Sequence, residues 1–341
     1  MALTILPMTA HYLQDAAALL AARHRRDQRC TPELSQAFAE SQATLPVLRE
    51  LLAQEGMRGV VALQGGHLVG YLCGRVELRS PTRTFAGFMR PRAIDIPYDG
   101  HATVSDDDGA VMAQLYAALS RDWVAQGLLG HYVTTPARPE TGDLWNDLGF
   151  GRFLALGVRP TTATAAPLPT DVTVRRATMD DEAMLQEAMP AFFHTFADPP
   201  IFVPDLPETA AARREFVSAH LADPACPVWL AYGRDQQVLG FQMFVEPSSA
   251  LWDPSPLESP PHALYLHIAY TQTGQRSTGI GAALLAQTMA WAHDAGHESC
   301  LAHWATASRA APFWQRQSFR PISYYLCRPV DERAAWISSR G

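Results

Sequence analysis

The sequence predicts a mixed α+β (α/β) architecture built as two tandem copies of one unit, each a mostly antiparallel sheet flanked by helices, and three observations carry it. The chain has 341 residues, long for one compact domain and comfortable for two. Three sequence landmarks recur in the same order at an offset of 169 or 170 residues. Within each half the signals run strand, helical segment, β-hairpin, strand, helix, strand, helix, strand, an order that does not suit a doubly wound sheet.

The first landmark is LTILPMTAHYLQDAAALL, matched by VTVRRATMDDEAMLQEAM: a short β-type run, a threonine turn, then helical spacing. Thr9 and Thr178 are 169 apart and stand where helix N-caps stand. The second is VVALQGGHLVGYLCGRV around Gly70, matched at an offset of 170 by VWLAYGRDQQVLGFQMFV around Gly240; each is two β-rich runs joined by a polar turn. The third is LWNDLGF ending at Phe150 and FWQRQSF ending at Phe319, again 169 apart. Between the copies, RPTTATAAPLPTD has no apolar period and reads as an extended linker over 159–171, which leaves domains at 1–158 and 172–341.

Composition excludes several classes of function. Apolar residues are 48% and charged residues 18%, with no uninterrupted apolar run of membrane-spanning length, so no membrane partner is expected. The opening MALTILPMTAHYLQDAAALL lacks a basic region, which argues against a signal peptide and for the cytoplasm. Five scattered cysteines (Cys30, Cys73, Cys226, Cys300, Cys327) suggest neither a disulfide framework nor a metal site. Net charge is −7 and all 27 basic residues are arginine, in few and short clusters, so nucleic acid is not an expected partner. Without lysine, the protein has no lysine of its own to acetylate.

The strongest local signal is ALYLHIAYTQTGQRSTGIGAALLAQTMAWAHDAG, from Ala263 to Gly296: a β-branched and aromatic strand, a glycine-bearing turn, then a helix ending at Ala295 and Gly296. In the turn Gln275-Arg276-Ser277-Thr278-Gly279-Ile280-Gly281, the bare backbone at Gly279 and Gly281 lets N–H groups face an anion, and the helix start adds roughly half a positive charge. A pyrophosphate suits such a place. A Gly-Lys-Ser/Thr phosphate loop and the three-glycine dinucleotide fingerprint are both absent. What remains resembles the GCN5-related N-acetyltransferase (GNAT) superfamily, whose phosphate motif Q/R-x-x-G-x-G/A between strand and helix is met by Arg276-Ser277-Thr278-Gly279-Ile280-Gly281. The hairpin near Gly240 and the closing FWQRQSF also stand where that family has them, so the resemblance covers most of both halves.

The resemblance implies acetyl-CoA as co-substrate. It implies that Ala269, Tyr270 and Thr271 offer backbone hydrogen bonds to the pantetheine arm, beside a splayed strand around Leu301 to Trp304, and that Arg276 through Gly281 hold the diphosphate. Two positions depart from the family pattern: Ser277 replaces a frequent glycine, and Trp314 stands where the usual tyrosine acid would be.

Transfer from a thioester to an amine needs a base for the amine and a proton for the departing sulfur. His267, on the strand before the turn, is the candidate base, some relatives carrying one at the matching place; a strand histidine satisfied by its neighbours is the alternative. An indole N–H is no acid at neutral pH, so the acid's role is vacant, unnecessary or moved, with Tyr270, Tyr324, Tyr325, His303 and Glu246 as candidates. In the first copy, Asp106-Asp107-Asp108-Gly109-Ala110-Val111 occupies the position of the phosphate turn; its carboxylates would repel a diphosphate and Val111 would crowd the backbone, so this copy is expected not to bind CoA. It would instead support the second copy, shape its acceptor cleft or mediate dimerisation, leaving monomer and homodimer both open. The segments PAFFHTFADPPIFVPDLPET and VEPSSALWDPSPLESPPHALY are candidates for the acceptor pocket, with Phe192, Phe193, Phe196, Phe202 and Trp252 as an apolar wall or as ordinary core. The expected activity is acetylation of a small-molecule or peptide amine in the second copy, without a metal. The rivals are an acyl-CoA-binding sensor and a scaffold.

Overall fold

The computed structural model describes residues 2–105, 109–162, 166–249 and 254–338. The first half runs β1 (Leu3–Pro7), α1 (Leu13–Cys30), α2 (Ser41–Ala53), the hairpin β2 (Met57–Gln64) and β3 (His67–Leu78), β4 (Arg92–Ile96), β5 (His101–Thr103), α3 (Gly109–Ala125), β6 (Gly130–Pro136), α4 (Pro139–Asp147) and β7 (Gly151–Pro160). The second repeats the plan: β8 (Thr173–Arg176), α5 (Glu182–Ala197), α6 (Ala210–Ala222), the hairpin β9 (Val228–Tyr232) and β10 (Val238–Val245), β11 (Ala263–Thr271), α7 (Ile280–Asp294), β12 (Ser299–Ala305), α8 (Ala311–Arg316), β13 (Arg320–Pro329) and α9 (Glu332–Ser338). The helical segment after each opening strand is a pair of helices.

Both threonine turns start 3₁₀ turns from extended backbone, with φ −126° at Thr9 and −127° at Thr178. Only Thr178 closes a capping box, because its third following residue is Asp181, where the first copy has Tyr12. Asp181 is further held by two bonds from Arg175 and one from the Tyr232 hydroxyl, which keep its carboxyl well below the usual carboxylate range.

Alternation along the strands divides each half into two layers. On one face Ala16, Leu20 and Leu48 of α1 and α2 cover Val61 and Tyr71; on the other Met112 and Leu115 of α3 cover Ala62 and Leu72. In the second half α5 and α6 cover Leu230, Phe241 and Met243, while α7 covers Ala231, Leu239 and Leu264. Each fully buried leucine, such as Leu20 or Leu284, contributes roughly 2 kcal/mol.

All strands join one sheet, ordered β1-β2-β3-β4-β6-β13-β7-β12-β11-β10-β9-β8, with β5 paired to β3. Among the described residues, only β4 with β6 and β11 with β12 are parallel. The two halves exchange their closing strands: β7 pairs with β12 of the second half, and β13 pairs with β6 of the first. The hydrogen-bonded ladder therefore continues across the junction instead of stopping at the linker. Among the described residues no helix is long and apolar enough to cross a membrane.

Candidate acyl-transfer site

The parallel ladder between β11 and β12 lasts four rungs, Ala263↔Ser299 to Leu266↔Ala302, and stops although β12 continues to Ala305. It stops at a β-bulge. Against β10 the partner of Met243 is Ile268 and the partner of Phe244 is Leu266, so His267 is the extra residue. A bulge bends its strand and re-aims a side chain, and here it swings β11 away from β12 while His267 sits at the parting. Past it, among the described residues, Ala269, Tyr270 and Thr271 pair only with Gln242, Phe241 and Gly240. Their other edge faces the gap.

The gap leads into the turn. Thr278 Oγ1 donates to the Gln275 carbonyl at 2.7 Å and tightens it. Ser277 has φ +65° and Gly279 φ +95°, both left-handed, which explains why glycine is frequent at the first position and why a serine there is strained. Gly279 is the N-cap of α7 and gives no side-chain cap, so the first N–H groups of the helix remain available to an anion. At Gly281 a Cβ would meet Thr271 Oγ1 at 3.2 Å and the Phe313 ring at 3.5 Å. Arg276, Ser277 and Thr278 are exposed, whereas Ile280 is buried in the core under the turn.

Around His267 the groups are aromatic or imidazole. His220 on α6 places Nε2 3.3 Å from His267 Nδ1. Phe85, from the loop between β3 and β4 of the first half, stacks on the His267 ring at 5.8 Å and 18°. Phe216 and Tyr265 meet the ring edge-on. Burial, with smaller contributions from His220 and His303, pushes the His267 imidazole down to about 3, so it is neutral at physiological pH. On β12, His303 Nδ1 lies 2.6 Å from the Tyr265 hydroxyl, and burial pushes its imidazole down to about 3 as well.

The candidate acids are scattered. Trp314 is buried on α8 among Trp304, Phe313 and Phe319, a core position. The Tyr325 hydroxyl donates to Asp95 Oδ1 at 3.1 Å, in the first half. Tyr324 lies under the Arg152 guanidinium at 4.2 Å, Tyr270 leans on Phe241, and Glu246 is exposed. Phe192 and Phe193 are buried in the α5–α6 core, Phe196 packs on Phe88 of the first half, and Phe202 is 68% exposed. Trp252 lies outside the described residues, as do Asp106, Asp107 and Asp108. A groove of about 440 Å³ between α5 and α6, lined in part by Glu187, Met189, Leu206 and Arg213, contains none of the turn residues. Among the described residues no group of three or more His, Cys, Asp or Glu could hold a metal ion.

The profile of the Acetyltransferase (GNAT) family matches residues 182–319, a span that runs from the start of α5 through the bulge and the turn to Phe319. Residues 182–319 are thus similar to the GNAT family. Acyl transfer to amine acceptors, with acetyl-CoA as the usual co-substrate, is the chemistry of that family. Solved structures extend the fold over the whole chain. A GCN5-related N-acetyltransferase from Sphaerobacter thermophilus is 15% identical with TM-score 0.60, covering 96% of this chain and 97% of that one. A tandem GNAT protein from the clavulanic acid biosynthesis pathway is 11% identical with TM-score 0.51, covering 97% and 99%. At these identities the likeness shows the fold alone. No curated protein matches the sequence.

The GNAT plan also locates the matching gap of the first half. There β4 pairs with β6 for four rungs, Ala93↔Gly130 to Ile96↔Val133, and the chain then leaves through Pro97–Gly100 to β5, which pairs with β3. This gap is filled. The Arg23 guanidinium on α1 donates to the His101 carbonyl, Arg26 Nη2 to the Thr103 carbonyl at 3.1 Å, and the His101 ring spans to the Thr134 carbonyl at 2.9 Å. Val111, matching Gly281, is buried, its Cγ1 2.9 Å from where a Cβ on Gly70 would stand.

His220, Tyr265 and Phe85 were not among the residues that sequence reasoning singled out. His220 could have been found, since it falls four residues after Phe216 and three after Val217 on the buried stripe of α6. Phe85 carries no such signal, because it reaches His267 from a loop of the other half.

Proposed function

We propose that the chain is an N-acetyltransferase that moves an acetyl group from acetyl-CoA to the amine of a small molecule or peptide, with residues 1–158 as a silent copy, 159–171 as linker and 172–341 as the acting copy. The observation that carries this is the gap between β11 and β12, opening beside an uncapped helix start and bordered by an unpaired strand edge. A pantetheine arm can add to that edge as a short strand would, on the backbone of Ala269, Tyr270 and Thr271. The N–H groups from Arg276 to Gly281, with the Arg276 guanidinium, suit a diphosphate.

Acetyl-CoA supplies an acetyl group activated as a thioester. His267, neutral and at the parting of the strands, accepts the proton that the acceptor amine gives up as its nitrogen bonds to the acetyl carbon. A thiol has an ordinary pKa near 8.5, so the sulfur released is a weak base, and a hydroxyl at Trp314 is not required for its departure. Phe85 from the first half stacks on the His267 ring and meets Phe193 of the second, an aromatic surround that favours an amine on an apolar or aromatic body. The first half thus contributes to the acceptor side, and its own gap is closed by Arg23 and His101.

Calorimetric titration with acetyl-CoA tests this. One site per chain is expected, with binding weakened at least about 100-fold in Gly281→Trp, whose bulk would fill the space beside Thr271 Oγ1, while the fold is kept. Two sites would overturn the silence of the first half, and no site would overturn the proposal. Thiol release with a panel of amines then separates an enzyme from an acyl-CoA sensor.

A further inference from the structure

We infer that His220 is a positioning residue: it fixes the tautomer of His267 so that Nε2, not Nδ1, is the nitrogen that receives the acceptor's proton. The inference deepens the proposed acetyltransferase reading and rests on it for its catalytic part.

The argument starts from a carbonyl. His220 Nδ1 lies 2.8 Å from the Phe216 backbone oxygen, four residues earlier on α6. A carbonyl oxygen only accepts, so this nitrogen carries the hydrogen. Burial lowers the His220 pKa, with Phe216 and Asp223 acting in the opposite sense, and the ring is neutral, so its Nε2 is a bare acceptor. His267 Nδ1 faces that acceptor at 3.3 Å and must be the donor. In a neutral imidazole the second nitrogen then carries the lone pair, which makes Nε2 of His267 the proton acceptor.

Among the described residues the titratable groups facing His267 are His220 from α6, Tyr265 from its own strand and His303 from β12, and no carboxylate is among them. The Tyr265 hydroxyl engages His303 Nδ1 instead of His267. Phe216 packs on both rings, 4.0 Å from His220 and 5.0 Å from His267, and Phe85 covers the His267 face, so the two imidazoles are held in one arrangement. Phe216 therefore acts twice, with its ring as a wall and its carbonyl as the fixed end of the chain.

Two variants separate positioning from packing. Leucine at 220 fills the space without accepting a hydrogen bond; glutamine can donate its amide to the Phe216 carbonyl and accept from His267. The tautomer is read by long-range proton–nitrogen correlation in protein labelled with ¹⁵N-histidine, the His267 signals being assigned by their loss in His267→Gln. Nδ1–H is expected in the unsubstituted protein and in His220→Gln, and a shift to Nε2–H in His220→Leu. With a turned-over amine, His220→Leu should lose about 10-fold or more in kcat with KM for acetyl-CoA unchanged, and His220→Gln should recover most of it. An unchanged His267 tautomer in His220→Leu would overturn the inference, as would equal losses of kcat in the two variants. Because the tautomer is read without turnover, a failure of the acetyltransferase reading would be seen separately, as an absence of thiol release in the unsubstituted protein.

Discussion

In the first half the gap beside the parallel strand pair is stoppered by charge, and in the second it is walled by rings. At an offset of 169, Arg23 corresponds to Phe192 and Asp27 to Phe196. Arg23 and Arg138 both pair with the buried Asp27, at 3.5 and 2.8 Å, and the Tyr98 hydroxyl donates to the same carboxylate at 2.7 Å. The matching helix of the second half offers Phe192, Phe193 and Phe196, which pack among themselves and leave the carbonyl edge of β11 alone. On the proposed reading one scaffold serves as a support or as a site, according to whether its first helix sends cations or phenyl rings towards the sheet.

The largest expected effect breaks the charged stopper. Asp27→Ala would remove the buried carboxylate that Arg23 and Arg138 share, a loss of about 3–5 kcal/mol for a broken buried pair. Urea denaturation measures it. Because Arg23 and Arg26 would still hold the carbonyls of His101 and Thr103, no second acetyl-CoA site should appear in calorimetry. A loss under about 1 kcal/mol would show that the stopper contributes little to the fold, at odds with the cost of unpaired buried charge.

This contrast explains what the sequence could and could not disclose. The repeat, the hairpins and the Arg276–Gly281 turn between strand and helix were legible because each is a local pattern: a spacing, a period, a glycine at a helix start. Arg23 and Asp27 were not, since a cation and a carboxylate four apart on a helix look like a solvent-facing pair, and only tertiary contact shows that both are buried. The exchange of β7 and β13 leaves no trace in either strand's alternation, which fixes a face and not a partner. The crossing loops are equally silent. Phe85 leaves the first half to cover His267, and Leu257 leaves the second to join the core of α1 and α2.

Opposite pH slopes sharpen the comparison. Burial pushes Glu258, beside the first half's gap, up to about 7, and His303, at the second half's gap, down to about 3. Between pH 4.5 and 7 the folded protein holds a proton on Glu258 that the unfolded chain has released, so this group's contribution to stability falls as pH rises. The advantage of Glu258→Gln over the unsubstituted protein should therefore grow with pH in that window, by at most about 1.4 kcal/mol per pH unit. For His303 the unfolded chain binds the proton below about pH 6.5 and the folded protein does not until about 3, so stability is lost as pH falls and the advantage of His303→Gln should grow towards acid. Parallel slopes in the two variants, followed by denaturation at several pH values, would break the distinction between the two gaps.

The smallest effect lies in the turn itself. Ser277 holds φ +65°, a left-handed conformation that costs a residue with a side chain roughly 1–2 kcal/mol and costs glycine nothing sterically. Glycine loses about 0.5–1 kcal/mol more backbone entropy on folding, so Ser277→Gly should raise stability by only about 0.5–1 kcal/mol. If the serine is retained because its hydroxyl meets a phosphate, the variant will be more stable and yet bind acetyl-CoA more weakly. If the hydroxyl has no such contact, stability will rise with affinity unchanged, and the turn's hold on the diphosphate will rest on its backbone and on Arg276.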